Sequence, residues 1–217
     1  MPILILGASG SGKSASMRNF EPDEVAIFNV ASKKLPFKKK LRKKDNATYA
    51  KIANGLKSPA LNTYVIDDSQ YLMCFESFEK VNETGYGKFT QNAKHFYNLI
   101  QYIISLPEDT IVYLLHHTEK NEEGMIKAKT IGKMLDNQLT VEGLFSIVLL
   151  AMADEGKYKF ITQSDGTTTA KSPMEMFDLE IDNDLKFVDD TIREYYDLPK
   201  RKVLKNKPIK TTENKEK

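Results

Sequence analysis

Apolar residues gather in short, nearly unbroken runs at Ile3–Leu6, Val25–Val30, Thr63–Ile66 and Thr110–Leu115. Runs of this kind suit parallel strands buried on both faces, since half-buried strands alternate instead. Helical periods lie between them. Lys13–Asn19 and Ala47–Leu56 read as short helices. Phe89, Ala93, Phe96, Tyr97, Ile100, Ile103 and Ile104 mark one face of a longer helix over 89–105, which Pro107 stops. Thr130–Gly143 is partly helical in pattern. Phe145–Met152 and Tyr158–Gln163, joined by Asp154-Glu155-Gly156, predict a β-hairpin. Thr191–Tyr196 predicts a short helix, and the residues from Pro199 onward are too polar to bury anything. The expected fold class is α/β, with a mostly parallel sheet flanked by helices and a C-terminal β-hairpin. One domain is expected over 1–198, followed by a basic tail without fixed structure over 199–217.

Composition sharpens this reading. A chain of 217 residues with 41% apolar side chains can build a sizeable core and is not disordered throughout. No apolar run approaches the ~20 residues of a membrane span. A lone cysteine, Cys74, offers no internal disulfide and no cysteine-rich zinc site, so a reducing cytosol is the expected compartment. The net charge of +2 conceals a division: residues 33–44 carry eight positive charges and no negative one, and residues 200–217 carry a net +6. The rest of the chain therefore holds −12. An acidic body with basic segments suggests a polyanion partner, although charge runs are often only solvated surface.

The candidate chemistry begins at the first strand. Gly7-Ala8-Ser9-Gly10-Ser11-Gly12-Lys13-Ser14 fits G-x-x-x-x-G-K-[ST] in full, between a buried strand and a helical stretch. Glycines let backbone N–H groups turn toward a phosphate without Cβ clashes, and a helix start adds partial positive charge. The spacing assigns Gly7 to Ala15 to nucleotide binding, Lys13 to the outer phosphates and the Ser14 hydroxyl to Mg²⁺. ATP and Mg²⁺ are the expected ligands.

Thr63–Asp68 is a strand ending in two carboxylates. Asp67 is the expected metal ligand, and Asp68 a base for the attacking water or a cap for the next turn. His116-His117-Thr118-Glu119 ends the fourth strand, where ligands of open α/β sheets bind. Glu119 competes for the base role. Adjacent histidines on a strand face opposite ways, so one of them, His117 here, is the candidate γ-phosphate sensor. Arginine is scarce, at Arg18, Arg42, Arg193 and Arg201. A cation supplied to a neighbouring copy would therefore come from Lys127, Lys129 or Lys133.

Together the N-terminal Walker A sequence, Lys34-Leu35-Pro36-Phe37, Val65-Ile66-Asp67-Asp68-Ser69, Leu115-His116-His117-Thr118-Glu119 and Lys129–Leu135 resemble short bacteriophage P-loop proteins with a RecA-like core. The resemblance covers 1–198. It implies ATP binding and hydrolysis in a RecA-like fold, with single-stranded DNA and a phage or host single-strand-binding or recombination protein as partners. RecA-like enzymes place a catalytic glutamate after the second strand. This chain has Phe28-Asn29-Val30-Ala31 there, which returns the base role to Asp68 or Glu119. Ile66–Gln70 also resembles AAA+ helicase loaders, but a strand hairpin stands where their helical lid would be.

Three functions follow in order: an ATPase acting on single-stranded DNA, a nucleotide-gated scaffold or loader, and a small-molecule kinase. Kinases grip a second phosphate with clustered arginines, and the four arginines here are scattered.

Overall fold

Alternate residues of the first strand feed two separate cores. β1 (Pro2–Gly7) is buried along its whole length, with Ile3 and Ile5 in one cluster and Leu4 and Leu6 in the other. This is the side-chain alternation of a strand sandwiched between two layers. The computed structural model describes residues 1–204 apart from Tyr86, Lys133, Met134, Asp136 and Asn137. Over these residues the chain is an α/β protein with a mostly parallel nine-stranded sheet flanked by helices.

The other strands are β2 (Ala26–Asn29), β3 (Arg42–Asp45), β4 (Thr63–Asp67), β5 (Ile111–Lys120), β6 (Ile126–Ala128), β7 (Val148–Asp154), β8 (Lys157–Ile161) and β9 (Glu180–Asp182). Their order is β3-β2-β4-β5-β1-β7-β8-β9, with β6 paired to the outer end of β5. Pairing is parallel from β3 to β7 and antiparallel from β7 to β9. The expected hairpin is therefore present. Glu155 and Gly156 both take positive φ in its two-residue turn.

Helices α1 (Tyr49–Leu56), α2 (Gln70–Glu79) and α3 (Gly87–Ile104) lie on the face of Leu4 and Leu6. The opposite face is covered by α4 (Leu185–Tyr195) and by Met17 and Phe20. No helix among the described residues is long and apolar enough to cross a membrane.

Several expectations need correction. The Lys13–Asn19 stretch is a six-residue 3-10 turn, Ser14–Asn19, and not an α-helix, so little helix dipole is added there. The basic segment is not all loop. Its last residues form β3, a charged edge strand paired with β2. α2 was not expected at all, and α4 starts six residues before the expected Thr191. Of the helical stretch expected over 130–143, the described part shows a 3-10 turn at Val141–Leu144, while Lys133 lies outside the described residues.

The start of the tail is also attached to the body. The Arg201 guanidinium meets the buried Asp189 carboxylate at 2.8 Å, the Lys202 N–H donates to Asn62 Oδ1 at 2.7 Å, and the Leu204 N–H donates to Asp23 at 3.0 Å. Residues 205–217 lie outside the described residues.

Candidate functional site

The carboxyl ends of β1, β4 and β5 meet at one edge of the sheet. β5 lies between the other two, and Gly7 stands opposite His117 in the β1–β5 register. Strands two places apart are separated by about 10 Å. The Gly7–Ser14 loop nevertheless closes that distance by passing over the end of β5. Ser14 Oγ donates to Asp67 Oδ1 at 2.8 Å, which joins the two sequence motifs in one site.

Within the loop, Gly10 and Gly12 have φ of +81° and +91°, a region costly for side chains with a Cβ. The N–H groups of Gly10, Gly12 and Lys13 donate to no carbonyl among the described residues. Ser11 Oγ is buried without a hydrogen-bond partner, and a Cβ on Gly7 would lie 2.3 Å from it. Lys13 folds back so that Nζ donates to the carbonyls of Gly7 and Ala8 at 2.7 and 2.8 Å. Burial lowers its pKa to about 8, against the opposing pull of Asp68 and Asp67.

The two neighbouring aspartates are treated oppositely. Burial, with the charge of Asp68 beside it, pushes Asp67 up to about 6 despite the Ser14 hydrogen bond. Asp68 is also desolvated, but the bonds it accepts outweigh this and hold it below its ordinary value. His117 Nε2 lies 3.2 Å from Asp68 Oδ1, and Lys33 Nζ lies 2.7 Å from Oδ2. A carboxylate only accepts, so the Nε2 nitrogen of His117 carries the proton. Asp68 has φ of +60°, the left-handed region, which turns its carboxylate out of the strand toward these partners. Its side chain does not cap α2, the alternative left open by the sequence.

The two histidines divide as the alternation demands. His116 is fully buried, with Nε2 donating to the Lys129 carbonyl at 2.8 Å and Nδ1 facing the Ser69 hydroxyl at 2.9 Å. Burial lowers its pKa to about 4, so it is a neutral tie between β4, β5 and the residues after β6. Glu119 follows two residues after His117 on the same side of β5, with its carboxylate 3.3 Å from Lys127 Nζ. Lys129 is fixed through its backbone, its N–H donating to the His117 carbonyl at 2.9 Å. Arg193 and Arg201 hold carbonyls and carboxylates of the body, away from this edge, while Arg18 donates to the Ala15 carbonyl at 3.2 Å, just after Ser14.

Two contributors escaped the sequence. Lys33 belongs to the basic segment, and no spacing rule says that it reaches Asp68. Tyr158, from the hairpin, lies over Gly12, where an added Cβ would approach its ring to 2.6 Å.

The donor set fits a magnesium nucleotide. Mg²⁺ commonly takes one or two protein oxygens and fills its octahedron with phosphate and water, and Ser14 with Asp67 offers such a pair. A dedicated cage is not needed, and no cluster of three or more His, Cys, Asp or Glu suited to a metal occurs among the described residues. The unengaged N–H groups and the orphan Ser11 hydroxyl provide donors for phosphate oxygens. Set against known proteins, the chain matches no family model and no curated protein.

Proposed function

We propose that the chain binds ATP with Mg²⁺ at the Gly7–Ser14 loop, hydrolyses it, and works on single-stranded DNA as a RecA-like ATPase. The observation that carries the reading is the 2.8 Å contact between Ser14 and Asp67. It brings together, across an intervening strand, the two oxygens that a P-loop site requires for its metal.

Ser14 and Asp67 hold Mg²⁺, which supplies charge neutralisation on the phosphate oxygens. Lys13 leaves the Gly7 and Ala8 carbonyls for the β- and γ-phosphates, while the loop N–H groups take the phosphate oxygens between them. Asp68 accepts the proton of the attacking water. The water oxygen bonds to the γ-phosphorus as the bond to the β–γ bridging oxygen breaks, leaving ADP and phosphate. His117 fixes the carboxylate in place through Oδ1. Asp68 is preferred to Glu119 because it directly follows Asp67 at the end of β4, whereas Glu119 stands two residues beyond His117 on β5.

The DNA partner rests on charge. Lys34, Lys38, Lys40, Arg42 and Lys44 are exposed, and the last two stand on the edge strand β3, two places from β4. Lysines on an edge strand also discourage pairing with a second copy.

ATP binding and turnover are measured for the wild type, Lys13→Ala and Asp68→Asn, with binding of oligothymidylate followed across a salt series. Lys13→Ala abolishes turnover. Asp68→Asn keeps ATP affinity and loses about 10²–10⁴-fold in rate, the usual worth of a general base. An Asp68→Asn variant with full activity transfers the base role to Glu119. Strand affinity falls with salt by a slope of about 0.7 per neutralised phosphate. No binding at low salt, or binding unchanged when Lys38, Lys40 and Lys44 become glutamine, rules out the DNA reading.

A further inference from the structure

Lys33 is the first cation of the basic segment and touches the proposed base directly. Its Nζ lies 2.7 Å from Asp68 Oδ2, and its side chain is 56% exposed against 6% for the carboxylate. The same ammonium lies over the Tyr71 ring at 5.3 Å, and Tyr71 meets the His117 ring edge-on at 5.4 Å. Both oxygens of Asp68 are thereby occupied, one by His117 and one by Lys33. A carboxylate with a cation on the oxygen that must receive a proton is a poor base.

The neck of the basic segment is pinned to the same sheet edge. Asn29, at the end of β2, donates to the Lys33 carbonyl at 2.7 Å and to Asp45 Oδ1 at 2.6 Å. Ser32 Oγ donates to Asn46 Oδ1 at 2.9 Å and accepts from the Asn46 N–H at 2.7 Å. Residues 33–44 thus form a closed loop whose first residue rests on the catalytic edge.

We propose that Lys33 is a brake on hydrolysis, holding Asp68 until a phosphate of a polyanion bound on residues 33–44 draws the lysine away. This deepens the preceding proposal and rests on it. The exchange is chemically even-handed, because the ammonium trades a carboxylate for a phosphate oxygen and no unpaired charge is left on Lys33. An ion pair whose lysine is more than half exposed is weakly held, so it can yield to a ligand that also gains the neighbouring cations. Asp68 then keeps His117 as its orienting donor and regains a free oxygen. Lys33 is a positioning residue, acting through Asp68.

Steady-state ATPase rates of the full-length protein, with and without oligothymidylate, are compared for wild type, Lys33→Gln and Lys33→Arg. Lys33→Gln raises the basal rate about tenfold, a part of the 10²–10⁴ that a general base contributes. Its KM for ATP stays within about twofold. Its strand affinity changes by less than about threefold, because seven of the eight cations remain, yet the strand no longer accelerates turnover. Lys33→Arg keeps both the low basal rate and the stimulation. A lysine that only contacts phosphates would instead leave both the basal rate and the stimulation at their wild-type values. A Lys33→Gln basal rate at or below wild type, or stimulation that survives the substitution, overturns the brake while leaving the ATPase reading intact. A wild-type protein that binds no ATP overturns both.

Discussion

Single side chains at the carboxyl edge of the sheet differ in what protonation does to them, and His116 is the clearest case. Its ring is buried and neutral between the Ser69 hydroxyl and the Lys129 carbonyl, with a pKa lowered to about 4 from 6.5. The unfolded chain takes up a proton near pH 6.5 that the folded ring refuses until about pH 4. The stability this depressed pKa carries is therefore full above pH 6.5 and is lost as pH falls toward 4, by up to about 3 kcal/mol. Urea midpoints at pH 7.5 and pH 5 should separate wild type further than they separate His116→Gln. Equal acid losses in the two proteins would show that the ring has no such role. That one histidine would be buried and the other turned to the site was legible from strand alternation, whereas the partners of each were not. Ser69 and Lys129 reach His116 through the meeting of β4, β5 and β6, which local sequence does not encode.

Elements show where the sequence speaks and where it falls silent. β1, β2, β4 and β5 were legible because both of their faces are buried, which forces continuous apolar runs. β3 reads Arg42-Lys43-Lys44-Asp45 and is exposed throughout, so its strand state comes from pairing with β2 and leaves no hydrophobic trace. α2 places Phe75 and Phe78 at 42% and 70% exposure, which blurs its apolar stripe. The start of α4 was readable but missed: Asp184 caps it by accepting from the N–H groups of Lys186 and Phe187, and Leu185, Val188 and Ile192 keep the helical spacing. The hairpin was anticipated, but not its seat on the Gly7–Ser14 loop. That seat gives two glycines unequal weight. Gly10 has positive φ and open space around it, whereas Gly12 has positive φ and the Tyr158 ring against it. Gly10→Ala should cost about 1–2 kcal/mol of stability from backbone strain alone. Gly12→Ala should cost more and also lower ATP affinity at least about tenfold, since the loop must move away from the ring. Calorimetric titration with ATP checks this, and equal affinities for the two variants would dismiss the bracing role of Tyr158.

At the scale of the whole molecule, a buried charge knot and the candidate site occupy opposite ends of the sheet. Asp189 is fully buried beneath the strand starts and accepts from Tyr113 Oη at 2.9 Å, Arg193 Nε at 2.8 Å and Arg201 Nη1 at 2.8 Å. Arg193 in turn donates to the Asn62 carbonyl and the Thr63 hydroxyl, both at 2.9 Å. This knot ties α4 and the residues after it to β4 and β5. Asp189→Ala leaves the buried Arg193 guanidinium without a carboxylate, while Arg201 keeps Asp190 at 2.7 Å, and should lower the unfolding free energy by about 3–5 kcal/mol. Urea denaturation measures this, and a loss below about 1 kcal/mol would mean that the knot is dispensable. The edge that carries the candidate site is likewise assembled from parts far apart in the chain. Gly7 stands beside His117, and Gly12 lies under Tyr158. Contacts of such long sequence separation close late, after most of the loop-closure entropy has been lost. In a growing chain the Gly7–Ser14 loop is thus made some 150 residues before the hairpin strand that comes to lie over it.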